Sequence, residues 1–282
     1  MGTLVKRLGQ LSSAFRNQQG ALLLESESRN ILRTAAANKL PGSLALALDG
    51  TLKQGHDMRT FGLGTAATMA NRQRYARFTA SMHAVYSTME EELDATTADA
   101  SCAVHMVWRS HGKVLRRGPS LKADLEDVSP GAAAMKLSPA TLRYVECIRR
   151  AGESDRSSAG ARLLGHFYCR YFADLFGGQM LEMPTRVALS LDAGTPRHYR
   201  FALPPPAEGG VGGGRRAYIE EVYCSLNAAG DTLTEAGRKA VADEALLAFR
   251  YNIDVYSEEP MYMDAVRGVA NMCTGFVASK LR

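Results

Sequence analysis

An all-α fold is the expectation for this 282-residue chain, and three features carry it. Apolar side chains recur three and four positions apart over long windows, as in Tyr75, Phe78, Met82, Val85, Tyr86 and Met89. Helix-start chemistry precedes such windows: Ser138-Pro139 is an N-cap residue followed by proline at the first helical position. Strand-type alternation is confined to one short stretch, 197–203, and no internal period points to stacked repeats.

With 46% hydrophobic and 22% charged residues, the chain can bury one substantial core. The net charge of +5 suggests a nucleic-acid partner only until its position is considered. Lys6, Arg7 and Arg16 all precede the first acid, Glu25, so three of the five net charges belong to the leading segment. No nucleic-acid partner is expected on that balance. Aromatics at 7%, with one Trp, also speak against a base-stacking surface. The five cysteines (Cys102, Cys147, Cys169, Cys224 and Cys273) lie far apart, with no C-x-x-C pair and no Cys/His cluster at zinc spacing. Reduced, mostly buried thiols in an intracellular compartment are expected, and the apolar runs are too short and interrupted for a membrane-spanning helix.

Residues 1–24 contain no acid and carry Leu4, Leu8, Leu11 and Phe15 at helical spacing. This reads as an organellar targeting segment, mitochondrial by preference and plastid as the alternative, or as a basic amphipathic arm making peripheral contact with a partner or membrane surface. Lys6 stands where an N-myristoylation signal wants Ser or Thr. Residues 25–282 read as one helical domain. A helix is expected over 26–39, ended by Pro41-Gly42. Stretch 43–64, which holds His56, is too rich in glycine to assign. One long helix is expected over 66–97; Glu90, Glu91 and Glu92 near its end oppose the helix dipole and suggest a solvated face or a partner contact. A helix over 98–110 and a basic turn over 111–120 follow, then the helix opened by Ser138-Pro139. Beyond an extended segment at 197–203, Pro204 to Pro206 and the glycines up to Gly214 form a flexible loop without the GK[ST] ending of a phosphate-binding loop. Helices are expected over 215–228, 234–256 and 260–280.

The stretch 165–181 organises the rest. It reads as a helix with an apolar face of Leu164, Phe167, Tyr168, Tyr171 and Leu175, one internal acid, Asp174, and then Gly177-Gly178. Each of those glycines costs a helix about 1 kcal/mol relative to Ala. Two reasons for them stand: a flat ligand close to the backbone, or a helix crossing that needs small residues.

The run of His166, Tyr168, Arg170, Tyr171, Asp174, Leu175, Gly177, Gly178 and Gln179 resembles the distal helix of heme oxygenases. Segment 82–94 with Tyr86, and segment 245–259 with Phe249 and Asn252, are similar to family helices in the same order. The resemblance spans roughly residues 45–260, leaving the arm and the last helix as additions. It implies a heme oxygenase-like bundle with a kinked distal helix, in which heme lies between that helix and a proximal histidine while an aspartate-held water network assists oxygen activation. Carried over position by position, Asp174, Arg170 and Tyr86 would be the catalytic group. Gly177, Gly178, Ala173 and Phe176 would face the heme, and His56 would be the iron ligand.

The sequence departs from the family pattern at several of these places. Ala173 stands for a glycine and Phe176 for a small residue, both adding bulk where the macrocycle would lie. Thr60 stands four residues after His56, where the family carries Glu; alignment through Asp57-Met58-Arg59 instead moves the ligand position near Ala66 and leaves no ligand. Where cations should meet the propionates the chain has Glu220, Glu221, Tyr223 and Cys224, with Arg215 and Arg216 about one turn earlier. Cys169 and Cys224 are expected to face the pocket or core.

Three readings follow. In the first, the pocket is degenerate, no cofactor is bound, and the protein is a structural or interaction subunit among the other protein subunits of an organellar, preferably mitochondrial, assembly. In the second, a divergent active heme oxygenase uses heme, with His56 as axial ligand, and cleaves it to biliverdin, CO and iron. A third places a bilin or other small apolar molecule in a remodelled pocket.

Overall fold

The computed structural model describes residues 35–55, 57–131, 135–203 and 214–280, and among them every regular element is helical. A 3₁₀ turn at Ala37–Lys39 leads to α1 (Leu44–Gly55), α2 (Met58–Thr68), α3 (Arg72–Thr96), α4 (Ala103–Leu115), α5 (Gly118–Val128) and α6 (Pro139–Ser158). The central segment is broken into α7 (Leu163–Phe167), a π turn (Tyr168–Phe172), α8 (Ala173–Phe176), a 3₁₀ turn (Gly178–Leu181) and α9 (Glu182–Leu189). α10 (Gly214–Asp231), α11 (Glu235–Ser257) and α12 (Tyr262–Lys280) complete the order. The arm at 1–24 and His56 lie outside the described residues, as does the Pro/Gly loop except for Gly214, which already belongs to α10.

Capping chemistry sets boundaries that apolar spacing alone misplaces. The unassigned stretch 43–64 resolves into α1 and the start of α2, where Asp57 Oδ1 accepts Arg59 N at 3.0 Å and Thr60 N at 3.1 Å. The single helix expected over 66–97 is two, because Asn71 caps α3 by accepting Arg74 N at 2.9 Å. The basic turn at 111–120 is the end of α4 and the start of α5. The Arg117 side chain does not cap α5; Glu90 of α3 does, accepting Arg117 N at 2.5 Å and Gly118 N at 3.0 Å. Glu90 is therefore buried rather than on a solvated face, while Glu91 is exposed and Glu92 pairs with Arg156 at 2.5 Å. Stretch 197–203 forms no strand: Arg197 N and His198 N donate to the Asp124 carboxylate, each at 2.9 Å. Ser138 caps α6 as its sequence implies, accepting Thr141 N at 3.1 Å.

α3 lies along α5 and α6, and α11 lies along α1, α6 and α7. Between them Leu44, Leu48, Met89, Trp108, Ile148, Phe167, Tyr171 and Val222 form one continuous core. α12 lies across α2 and α9. A Cβ on its Gly268 would overlap the carbonyl oxygen of Ala66, so the α2–α12 contact is backbone against backbone.

Candidate functional site

The central segment is held from its first turn by close approach to α11. A Cβ at Gly165 would sit 2.6 Å from Ala245 N and 2.7 Å from Val241 O, so only glycine permits this crossing. The π turn that follows buries five consecutive residues, Tyr168 to Phe172. Such a turn inserts one residue into the helical register, and it directs Arg170 and Tyr171 into the core together.

Arg170, Asp174 and Tyr86 meet at one place. Tyr86 Oη donates to Asp174 Oδ2. Arg170 Nη1 donates to Asn252 Oδ1 at 2.6 Å, and its guanidinium lies 5.0 Å from the centre of the Tyr86 ring. Burial raises the Asp174 carboxyl above its ordinary value, with Arg170 and the Tyr86 bond opposing. Burial likewise raises the Tyr86 hydroxyl well above its own. The result is a part-buried tyrosine-to-carboxylate hydrogen bond with a guanidinium beside it. The sequence placed these three residues in one group by resemblance, and the fold does bring them together along with Asn252.

The kink falls at the glycine pair. α8 ends where Gly177 N donates to Ala173 O at 2.9 Å. The two carbonyls left without helical partners are taken by Arg215 of α10, whose Nε donates to Leu175 O at 2.7 Å and Nη2 to Phe176 O at 2.6 Å. A Cβ at Gly178 would come within 3.2 Å of Asp174 Oδ1, so the carboxylate lies directly beneath the kink. Ala173 is exposed, so its methyl faces open space. Phe176 is half-buried and packs on Phe172 at 5.7 Å, which in turn meets Tyr168 at 4.8 Å and Tyr223 at 4.7 Å.

That aromatic row ends on an acid the sequence reading did not single out. Asp49 of α1 accepts Tyr168 Oη at 2.6 Å and Tyr223 Oη at 2.8 Å on one oxygen, and Asn38 Nδ2 at 2.7 Å on the other. Burial raises its carboxyl, and the three donors oppose. Glu220 is also engaged, receiving Ala37 N at 2.7 Å. Cys169 is buried as expected, whereas Cys224 is exposed rather than facing a pocket or core. Thr60 Oγ1 donates to Asp57 Oδ2 at 2.6 Å, so its hydroxyl serves the α2 cap.

Away from this site, Cys147, His166 and Glu244 converge in the core. They are 19 and 78 positions apart in the chain, beyond the reach of any local spacing rule. Among the described residues, no helix is long and apolar enough to cross a membrane.

Comparison with known proteins agrees with this architecture. The family model described as heme oxygenase matches residues 54–258. Heme oxygenase 1 of Synechocystis sp. is 27% identical over 192 residues, covering 67% of this chain and 72% of that protein. The heme oxygenase of Takifugu rubripes is 30% identical over 189 residues, and the match spans 66% of this chain and 62% of that protein. Among solved structures, heme oxygenase-2 from Synechocystis sp. PCC 6803, in complex with heme and NO, superposes with a TM-score of 0.62 at 26% identity, covering 76% of this chain and 84% of that one.

Proposed function

The chain belongs to the heme oxygenase family, and from that premise we propose that it has left heme degradation and serves as an interaction subunit of an organellar, preferably mitochondrial, protein assembly. The observation that carries this reading is the Asp49 carboxylate seated between Tyr168 and Tyr223. These tyrosines belong to the two helices that, in the family pattern, line the heme and anchor its propionates. Two propionates brought here would meet the carboxylates of Asp49, Glu220 and Glu221, with Lys53 the cation acting on Asp49. Each charge-assisted bond lost in this way costs roughly 1.5 to 3 kcal/mol of binding. Arg215 is committed to the carbonyls of the kink. The acids on this face and the engagement of Arg215 support a pocket that has given up heme.

The Tyr86–Asp174 pair with Arg170 and Asn252 is the observation that favours the alternative, a divergent active heme oxygenase. Under the proposed reading these groups persist because they are structural. Arg170 is buried, and its bonds to Asn252 and to Met82 Sδ (3.3 Å) tie the central segment to α11 and α3.

Titration of the full chain with hemin separates the two. The expected result is no saturable one-to-one Soret complex and no biliverdin when a reductase and oxygen are supplied. A stoichiometric complex that turns over would overturn the proposal and establish the alternative.

A further inference from the structure

We propose that Cys147, His166 and Glu244 form a binding site for a single zinc-class divalent cation, buried between α6, α7 and α11 and separate from the distal segment's acid network. Cys147 is 2%, His166 0% and Glu244 6% exposed. Their donor atoms all lie within 4.8 Å of one another. Cys147 Sγ is 3.5 Å and His166 Nε2 3.1 Å from the same carboxylate oxygen, Glu244 Oε1. The sulfur–oxygen and nitrogen–oxygen separations are near two edges of a tetrahedron whose metal lies about 2.3 Å from sulfur and about 2.0 to 2.2 Å from nitrogen and oxygen.

The chemistry of the donors selects the ion. A thiolate excludes calcium and magnesium, which take oxygen ligands, and one sulfur, one imidazole and one carboxylate suit zinc. The Glu244 carboxylate takes His166 Nε2 on Oε1 at 3.1 Å. Arg162 Nη1 donates to the other oxygen, Oε2, at 3.2 Å. It thus orients the carboxylate while leaving Oε1 to the metal, a positioning role of the kind outer ligands usually fill.

Without a cation the three groups pair with one another. The Cys147 thiol donates to Glu244 Oε1 at 3.5 Å. His166 Nδ1 has no hydrogen-bond partner among the described residues, so the imidazole proton belongs on Nε2, facing Glu244. On binding, the Cys147 S–H bond breaks and its proton leaves to solvent. A metal–sulfur bond forms, the imidazole proton moves to Nδ1, and Nε2 and Oε1 become ligands. No electron is transferred. Placing a proton on an Nδ1 without an acceptor weakens the site relative to one with a full outer shell, by the tenfold to hundredfold typical of missing outer partners.

Cobalt(II) titrated into the metal-free full chain tests this directly. The expected result is one equivalent bound, with a thiolate-to-cobalt charge-transfer band that Cys147→Ser abolishes, Glu244→Gln weakens at least tenfold, and Cys169→Ser leaves unchanged. X-ray absorption of the zinc-loaded wild-type chain needs no variant to fold, and should show one sulfur at about 2.3 Å beside nitrogen and oxygen neighbours. A band that survives Cys147→Ser, the absence of stoichiometric binding, or a sulfur-free zinc shell would overturn the proposal. None of these readouts depends on hemin, so the outcome is independent of the functional reading above.

Discussion

At the scale of single residues, the buried acids show how position rather than residue type sets behaviour. Asp155 accepts Arg162 N at 2.7 Å and Leu163 N at 2.8 Å, satisfying the first turn of α7. Burial nevertheless raises its carboxyl from 3.8 to about 6, with the two backbone bonds opposing. The folded state therefore holds this proton more tightly than the unfolded chain. Its contribution to stability is full below about 3.8 and is lost as pH rises through about 6, a swing of roughly 3 kcal/mol at 1.36 kcal/mol per pKa unit. Asp155→Asn removes that swing and keeps one acceptor oxygen. Urea unfolding should show the variant gaining on wild type by up to roughly 3 kcal/mol between pH 4 and pH 7; a difference that does not change with pH would refute the assignment. Glu90 is a second example, since its place in a run of three glutamates suggests a solvated face and only the position of the α5 terminus, 28 residues on, explains its burial.

At the scale of elements, glycines in helices divide into those that hold a contact and those that do not. Gly268 lets α12 lie against the backbone of α2, where any Cβ overlaps Ala66 O. Gly268→Val should cost about 1 to 3 kcal/mol, as overpacking usually does, with helix content retained and the melting temperature lowered. Gly62, in α2, would place a new methyl in open space, with nothing within 4 Å. Gly62→Ala should instead raise stability by about 0.4 to 1 kcal/mol, through a less mobile unfolded chain. Equal effects from the two substitutions, measured by thermal unfolding, would contradict this packing of α12. Gly177 belongs with neither, because its role is the kink itself, whose free carbonyls Arg215 satisfies.

At the scale of the whole molecule, the family fold is retained, and Asp49 sits between Tyr168 and Tyr223 where α1, the central segment and α10 meet. An assembly subunit predicts a measurable state: in organelle extracts the protein should migrate on native gels in a complex far larger than its own 30.5 kDa. Migration as a free monomer, or recovery outside the organelles, would remove the support for that role. The helical character of the chain, the cap at Ser138 and the last three helices were legible in the sequence because periodicity and cap chemistry are local properties, and the grouping of Tyr86, Arg170 and Asp174 was legible through a long family motif. The boundary at Asn71, the helix α5 and the two helices within 43–64 were not, since α1, α2 and α5 are too short to show an extended apolar stripe and the acid that caps α5 comes from another helix. The sequence by itself determined the all-α class and most of the long helices, and marked Gly177-Gly178 as a place where a helix is interrupted or closely approached. Only the tertiary structure decided that Asp49 joins Tyr223 across 174 positions and that Cys147 meets Glu244 across 97. Helix packing creates such contacts, and no local spacing in the chain records them.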